Sequence, residues 1–335
     1  MKKIIRSICY FTKNPNQSIV ERLDVLKQLL ESRNYLVQTT RVCSTSDEIS
    51  ALNSLQGSSM NSIGTVDLRW LESNMRQFLD NKNLACNVEL SKEEINLKTV
   101  APLQEIIKEN AAKTFSFTYV FNNPNSSPYY PSANYEQEGF AIGLQSTDLA
   151  ENAEALTDWF ENMKTVWNEV CETMKDETDF LGIDSSIAPL YEGESSLVNI
   201  VRRFNSSYTN SFTTDFYTKI TKFIKNGNPK PIGLCGIMMP CLEDFELAEE
   251  YEKGEFSIER NIYVSLHSGL GIDTYPIGVD EDPERIVEIL KLIQALSNKY
   301  NKPLSARFVS DGKAKVGEKT NFQNPYLKDV VVKKI

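Results

Sequence analysis

The chain has 335 residues, a formal net charge of −10 and 41% hydrophobic residues. Its pI near 4.9 argues against a phosphate backbone as a general partner, so no nucleic-acid role is expected, yet the apolar content suffices for a sizeable core. Lys2-Lys3 leads into only Ile4-Ile5 before Arg6, and no run reaches the ~20 apolar residues of a membrane span; neither a signal-peptide core nor a membrane role is expected, and the reading is cytoplasmic.

Ile4–Phe11 reads as a strand, Ser18–Ser32 as a helix with Ile19, Leu23, Leu26, Leu29 and Leu30 at helical spacing, and Tyr35–Cys43 as a second strand. This βαβ opening predicts an α/β protein with parallel strands. The alternation continues with a helix over Val66–Leu79, a strand near Leu84–Leu90, a helix over Leu103–Ala112 and a strand over Thr114–Phe121. Asn122–Tyr135, with three prolines and four asparagines, is the clearest loop. It reads as a surface connection, or as a tyrosine wall over a pocket. Gly139–Gln145 returns as a strand. Asp148–Lys175 reads as one long helix whose apolar stripe includes Trp159 and Trp167, both expected in the core.

In the second half, Phe180–Asp184 and Ile232–Gly236 read as strands, and Ser195–Arg203, Thr214–Ile224 and Asp244–Tyr251 as helices. The apolar residues of Asn261–Leu266 read as a strand entering a Ser268-Gly269-Leu270-Gly271 turn that is followed by Asp273. Pro283–Tyr300 is a strongly amphipathic helix, with Asp280 or Asp282 as its cap, and Leu304–Val309 is a late strand. No internal repeat and no long linker interrupts the chain, which reads as one domain over residues 1–335. Six scattered cysteines, none in a CxxC pair, read as reduced thiols.

Four polar clusters lie near strand ends: Gly182–Pro189 with Ser195 and Ser196, Met239–Asp244, Ser268–Asp273, and Ala306-Arg307 with Gly312–Gly317. If they converge, they combine carboxylates, hydroxyls and cations suited to a small anionic or zwitterionic ligand, with arginine gripping its carboxylate or phosphate. Each cluster also has a structural role open to it. Ser195 or Ser196 can cap a helix, Glu243 and Asp244 suit a helix N-terminus, and Lys313 and Lys315 can be solvated. The sole histidine, His267, adjoins Ser268; on a strand the two side chains would point to opposite faces and make a poor catalytic pair. No dinucleotide or phosphate-loop fingerprint is present, because Gly269-x-Gly271 lacks its third glycine. Zinc is not expected with one histidine and no CxxC. An all-oxygen Mg²⁺ or Ca²⁺ site would have to come from Asp184, Glu243 and Asp273.

These clusters, in this order, resemble the family catalogued as domain of unknown function 711. Tyr129-Tyr130-Pro131, Phe140–Gln145 and the opening Ile5-Arg6-Ser7-Ile8 resemble it too. The resemblance implies a barrel of roughly ten strands, wrapped by helices as in pyruvate formate-lyase-like glycyl radical enzymes, with a loop inserted into the barrel. It makes Ser268–Asp273 the candidate inserted loop and implies a homodimer. Where the family pattern has a cysteine, this chain has Ser268, and no glycyl-radical motif is recognisable near its C-terminus. Radical chemistry is therefore not expected.

The reading that follows is an enzyme without a bound cofactor, acting on a small anionic or zwitterionic metabolite by lyase, isomerase or transfer chemistry. Asp273 would be the acid/base, with Ser268 and Lys313 as the further catalytic candidates. Arg307 would bind the substrate anion. Asp184, Ser186, Ser196, Lys315 and the backbone at Gly269 and Gly271 would complete its site. The alternative is a metabolite-binding regulatory protein on an enzyme-like barrel.

Overall fold

The computed structural model describes residues 2–58, 60–205 and 207–335. In chain order the first half contains β1 (Ile4–Phe11), α1 (Gln17–Glu31), β2 (Leu36–Val37), β3 (Thr40–Cys43), α2 (Ile49–Ser54), β4 (Met60–Val66), α3 (Leu68–Asp80), β5 (Leu84–Glu89), α4 (Leu97–Asn110), β6 (Phe117–Phe121) and β7 (Gly139–Leu144). The second half contains α5 (Leu156–Thr173), β8 (Phe180–Asp184), α6 (Leu197–Asn205), α7 (Tyr208–Ser211), α8 (Phe216–Gly227), α9 (Phe245–Lys253), α10 (Ile258–Ser265), β9 (Gly271–Pro276), α11 (Pro283–Tyr300) and β10 (Leu304–Val309). No helix among the described residues is long and apolar enough to cross a membrane.

Ten strands form one mixed sheet. Its main path runs β8-β7-β1-β3-β4-β5-β6-β10-β9, and β2 pairs with β1. Neighbours are parallel, as the βαβ opening predicts, except for β1 with β7 and β6 with β10. The ladder does not close. Among the described residues its two ends are joined by isolated parallel bridges through the strip 231–240: Ile183 with Pro231, Ile187 with Ile237, Ile237 with Gly269, and Pro240 with Asp273. The expected strand Ile232–Gly236 lies in this strip and stays irregular. Pro231 and Pro240 cannot donate to a ladder, and its glycines weaken strand structure. The result is a barrel-like α/β sheet whose last seam is made of single bridges.

Two expectations around the glycine turn are corrected. Asn261–Leu266 is helical, not a strand: α10 spans Ile258–Ser265, capped by Ser257, whose side chain accepts from the Arg260 amide at 3.4 Å. A short apolar run fits either period, and the cap decides it. Ser268–Asp273 is likewise not an inserted loop, because Gly271–Pro276 is strand β9, paired with β10. A Cβ at Gly271 would collide with the Ser305 carbonyl, so only glycine lets β9 approach β10 there, at φ +101°.

The loop that does occupy the concave side is Asn122–Tyr135. Ser126, Ser127, Tyr129 and Ala133 are buried. Tyr129 donates to the Leu144 carbonyl on β7, and Tyr130 to the Val42 carbonyl on β3. The Asn87 amide on β5 holds the Pro131 and Ala133 carbonyls, each at 2.9 Å. The loop thus spans the strands from β7 to β5 from inside, with the carbonyls of Pro128, Pro131, Ser132 and Ala133 held by protein donors. The large helix side chains fill the other face. Trp159 and Trp167 of α5 are fully buried, and Phe160 stacks on Phe223 of α8 with centroids 4.3 Å apart. The predicted helix from Asp148 starts only at Leu156, after a 3-10 turn over Ser146–Ala150.

Asp244 is buried where two helices begin. Its carboxylate accepts from the Leu197 amide of α6 at 2.9 Å and from the Leu247 amide of α9 at 3.3 Å. Burial pushes its carboxyl up to about 7 from an ordinary 3.8, against the pull of Ser196 and these amides. The folded state therefore keeps a proton that the unfolded chain releases, so stability falls as pH rises between these two values. Burial raises Asp148, Asp184 and Glu243 in the same direction. The melting temperature is expected to be higher near about pH 5.5 than near about pH 7.5, with a smaller difference in Asp244→Asn. A pH difference as large in Asp244→Asn as in wild type would contradict this assignment.

Candidate functional site

Strand ends, the inner loop and the irregular strip enclose a cavity of about 380 Å³. Its charged lining is Arg6, Arg41, Arg307, Glu243 and Asp273, three cations against two anions. Tyr129, Tyr130, Tyr191 and Tyr326 supply aromatic wall, and Tyr191 stacks on Tyr326 with centroids 5.7 Å apart.

Local irregularities aim the two best-placed arginines. Ile5 and Ile8 both join the main core, while Cys9 and Phe11 pack with Ala133 of the inner loop. That three-residue spacing breaks strand alternation, and the β1–β7 register shifts between Ile5 and Ser7, at Arg6. The β9–β10 register likewise shifts between Ala306 and Phe308, at Arg307. Thr274, beside Asp273, has φ +39°, and Tyr191 has φ +65°. Left-handed backbone at a β-branched and an aromatic residue is strain held in place by surrounding structure.

The carboxylates are organised by Arg307, which is buried. Its Nε donates to Asp273 Oδ1 at 2.6 Å, one terminal nitrogen to Glu243 Oε2 at 2.5 Å, and the other to the Phe115 carbonyl at 3.3 Å. Burial opposes its charge, but Asp273 and Glu243 hold the guanidinium above its ordinary value. Glu243 also accepts from Arg6, at 3.4 Å. Burial keeps its carboxyl above the usual carboxylate range, although Arg307 pulls it down. Arg41 is held only by neutral oxygens among the described residues, Thr39 Oγ1 at 3.1 Å and the Pro128 carbonyl at 3.3 Å, and lies over the Tyr130 ring. Burial and the neighbouring Arg6 lower its hold on its proton.

Of the residues nominated from sequence, Asp273, Arg307, Gly271 and the cation-ligand candidate Glu243 line the cavity. The others lie elsewhere. Asp184 is fully buried and accepts from Ser127, Ser186 (amide and hydroxyl), Leu234 and Cys235, which ties the inner loop to the strip. A Cβ at Gly233 would collide with this carboxylate. Ser186 also accepts from the Gly236 amide at 3.2 Å, and Ser196 Oγ accepts from the Val198 amide at 3.1 Å in the first turn of α6. Lys313 and Lys315 are exposed in the loop after β10. Gly269 belongs to the turn between α10 and β9.

Ser268 is buried outside the cavity, and its relation to His267 is corrected. The chain turns off the end of α10 instead of running as a strand, so His267 Nδ1 comes within 2.8 Å of Ser268 Oγ, with Thr221 Oγ1 3.1 Å beyond. The all-oxygen cation site from Asp184, Glu243 and Asp273 is not assembled. Asp184 is spent on amides and hydroxyls, while the other two face Arg307, and no metal-holding group of three such side chains occurs among the described residues. The sequence reading missed Arg41 and named Arg6 only through the family resemblance. The signal available was a cation in the middle of a short apolar strand, where it has to face a polar interior.

The family model described as Uncharacterised ACR (DUF711) matches residues 35–323. The chain belongs to this family. The matched DUF711 range contains Arg41, the inner loop, Glu243, Asp273 and Arg307, while Arg6 and Tyr326 fall outside it. No curated protein matches the chain.

Proposed function

We propose that this DUF711 protein binds a small anionic metabolite in the cavity and acts on it by proton transfer, in lyase, isomerase or transfer chemistry without a radical. The observation that carries the reading is the pair Arg6 and Arg41. Both line the cavity, and Arg41 has only neutral partners among the described residues. A desolvated guanidinium without an acid is costly unless a ligand supplies one. Asp273 is the acid/base of choice. Arg307 fixes its Oδ1, and its Oδ2 accepts no protein hydrogen bond among the described residues. Arg307, itself held by Glu243, sets its orientation.

Asp273→Asn is expected to lower turnover by at least about 10²-fold while leaving ligand affinity within about threefold. NMR of a pooled set of small carboxylates and phosphate esters, incubated with each protein, reads both depletion and line broadening. Unchanged depletion by the variant would rule out the role of Asp273. A second reading, binding without turnover, is favoured by the cavity lining, which among the described residues has no His, Cys or Lys. In that case the ligand is recovered unchanged from wild type. The proposal includes a cytoplasmic location, supported by six unpaired cysteines, and a homodimer, which sedimentation would test.

A further inference from the structure

We infer that the ligand is a dianion, such as a dicarboxylate or a phosphate ester, and that Glu243 yields Arg6 to it and takes up a proton in exchange. The inference rests on the anion-binding reading above. Glu243 stands between two guanidiniums held unequally. The contact to Arg307 is 2.5 Å, whereas Arg6 lies at 3.4 Å, beyond the ~2.7–2.9 Å of a strong charge-assisted bond. Arg6 is therefore the partner an incoming anion can take. Arg307 cannot be released as easily, because it also holds Asp273 and the Phe115 carbonyl.

Two guanidiniums that no acid holds at short range, Arg6 and Arg41, set the class of ligand, one for each charge of a dianion. Three guanidiniums and two carboxylates leave the cavity with one net positive charge. A monoanion neutralises that and asks for nothing more. A dianion leaves one surplus negative charge in a buried space, and a proton removes it most economically from a carboxylate that has just lost a cation. The charged and titratable groups around Glu243 are Arg6 on β1, Arg41 on β3, Asp273 on β9, Arg307 on β10 and the Tyr191 phenol after β8. Of the two acids on Arg307, Glu243 is the more enclosed, with 7% of its side chain exposed against 16% for Asp273. Burial already holds its carboxyl above the usual carboxylate range with both arginines in place. A Glu243 protonated by ligand entry stands across Arg307 from Asp273, so that binding itself arms an acid opposite a base.

The test is calorimetric titration of the full chain with sodium sulfate, which stays dianionic throughout, in two buffers of different ionisation enthalpy. Wild type is expected to take up close to one proton per sulfate near about pH 7.5, and to lose about tenfold in affinity for a pH unit of rise. Glu243→Gln is expected to bind sulfate with no proton uptake and less than about twofold pH dependence. Arg6→Gln is expected to weaken sulfate binding at least about tenfold at either pH. The proton count needs no variant, so it stands even if Glu243→Gln folds poorly. Sulfate binding without proton uptake, or with the same uptake in Glu243→Gln, would overturn the exchange and leave the anion site standing. Absence of sulfate binding by wild type would overturn both.

Discussion

Arg307→Ala is expected to destabilise the protein by about 3–5 kcal/mol, the usual cost of removing one partner from a buried ion pair. The size follows from what remains. Glu243 and Asp273 would face each other across a vacated site, with only the long Arg6 contact to compensate them. The Phe115 carbonyl would lose a donor, and the cation over the Phe115 ring would be gone. Glu243 is held above the ordinary carboxylate range by burial even with Arg307 present, so it protonates further in the variant, and part of the loss is recovered as pH falls. Urea denaturation near neutral and mildly acidic pH measures both effects. An Arg307→Ala protein as stable as wild type at neutral pH would mean that the guanidinium does not organise the two acids.

Arg41→Gln is expected to behave in the opposite way. The side chain has no acid partner among the described residues, and burial together with Arg6 works against its charge. Replacing it with a neutral amide removes a buried cation that Glu243 compensates only in part, so the melting temperature is expected to hold or rise. Ligand affinity should fall by about 2–3 kcal/mol, roughly 30- to 150-fold in Kd, the worth of a hydrogen bond to a charged group. A group that helps the fold cannot give this combination. Loss of stability with unchanged affinity would place Arg41 in the framework of the Pro128 loop and not in a binding site. Together, the two arginine variants separate the cation that holds the site together from the cation that waits for a ligand.

The parts of this fold that could be read from the chain are those where local signals agree. Pro283–Tyr300 combines an Asp282 cap, an early proline and an unbroken apolar stripe, and α11 has those bounds. Leu304–Val309 is found as β10. β9 was hidden because it opens on a glycine, carries Asp273 and ends on a proline. It looks like a turn, and becomes a strand only because β10 offers a ladder that tolerates Gly271 alone. The predicted strand Tyr35–Cys43 is split into β2 and β3, both paired with β1. Polar residues at strand ends were visible, but their partners were not. Asp273 and Arg307 meet through the pairing of β9 with β10, whereas Asp184, Ser186 and Ser196, equally polar, are spent on backbone amides and neighbouring hydroxyls. The buried course of Asn122–Tyr135 depends on Asn87 and on two tyrosine hydroxyls finding carbonyls on distant strands. Nothing within the loop's own sequence specifies that.

Arg6 and Arg41 are expected to make this cavity an anion site. A thermal-shift titration of wild type and Arg41→Gln with small carboxylates, phosphate esters and their neutral amide or alcohol analogues tests it most directly. A ligand that binds only the folded state raises the melting temperature. At least one anion is expected to raise it in wild type, its neutral analogue is not, and Arg41→Gln is expected to lose the shift. Equal shifts in both proteins, or shifts with neutral compounds alone, would contradict this expectation.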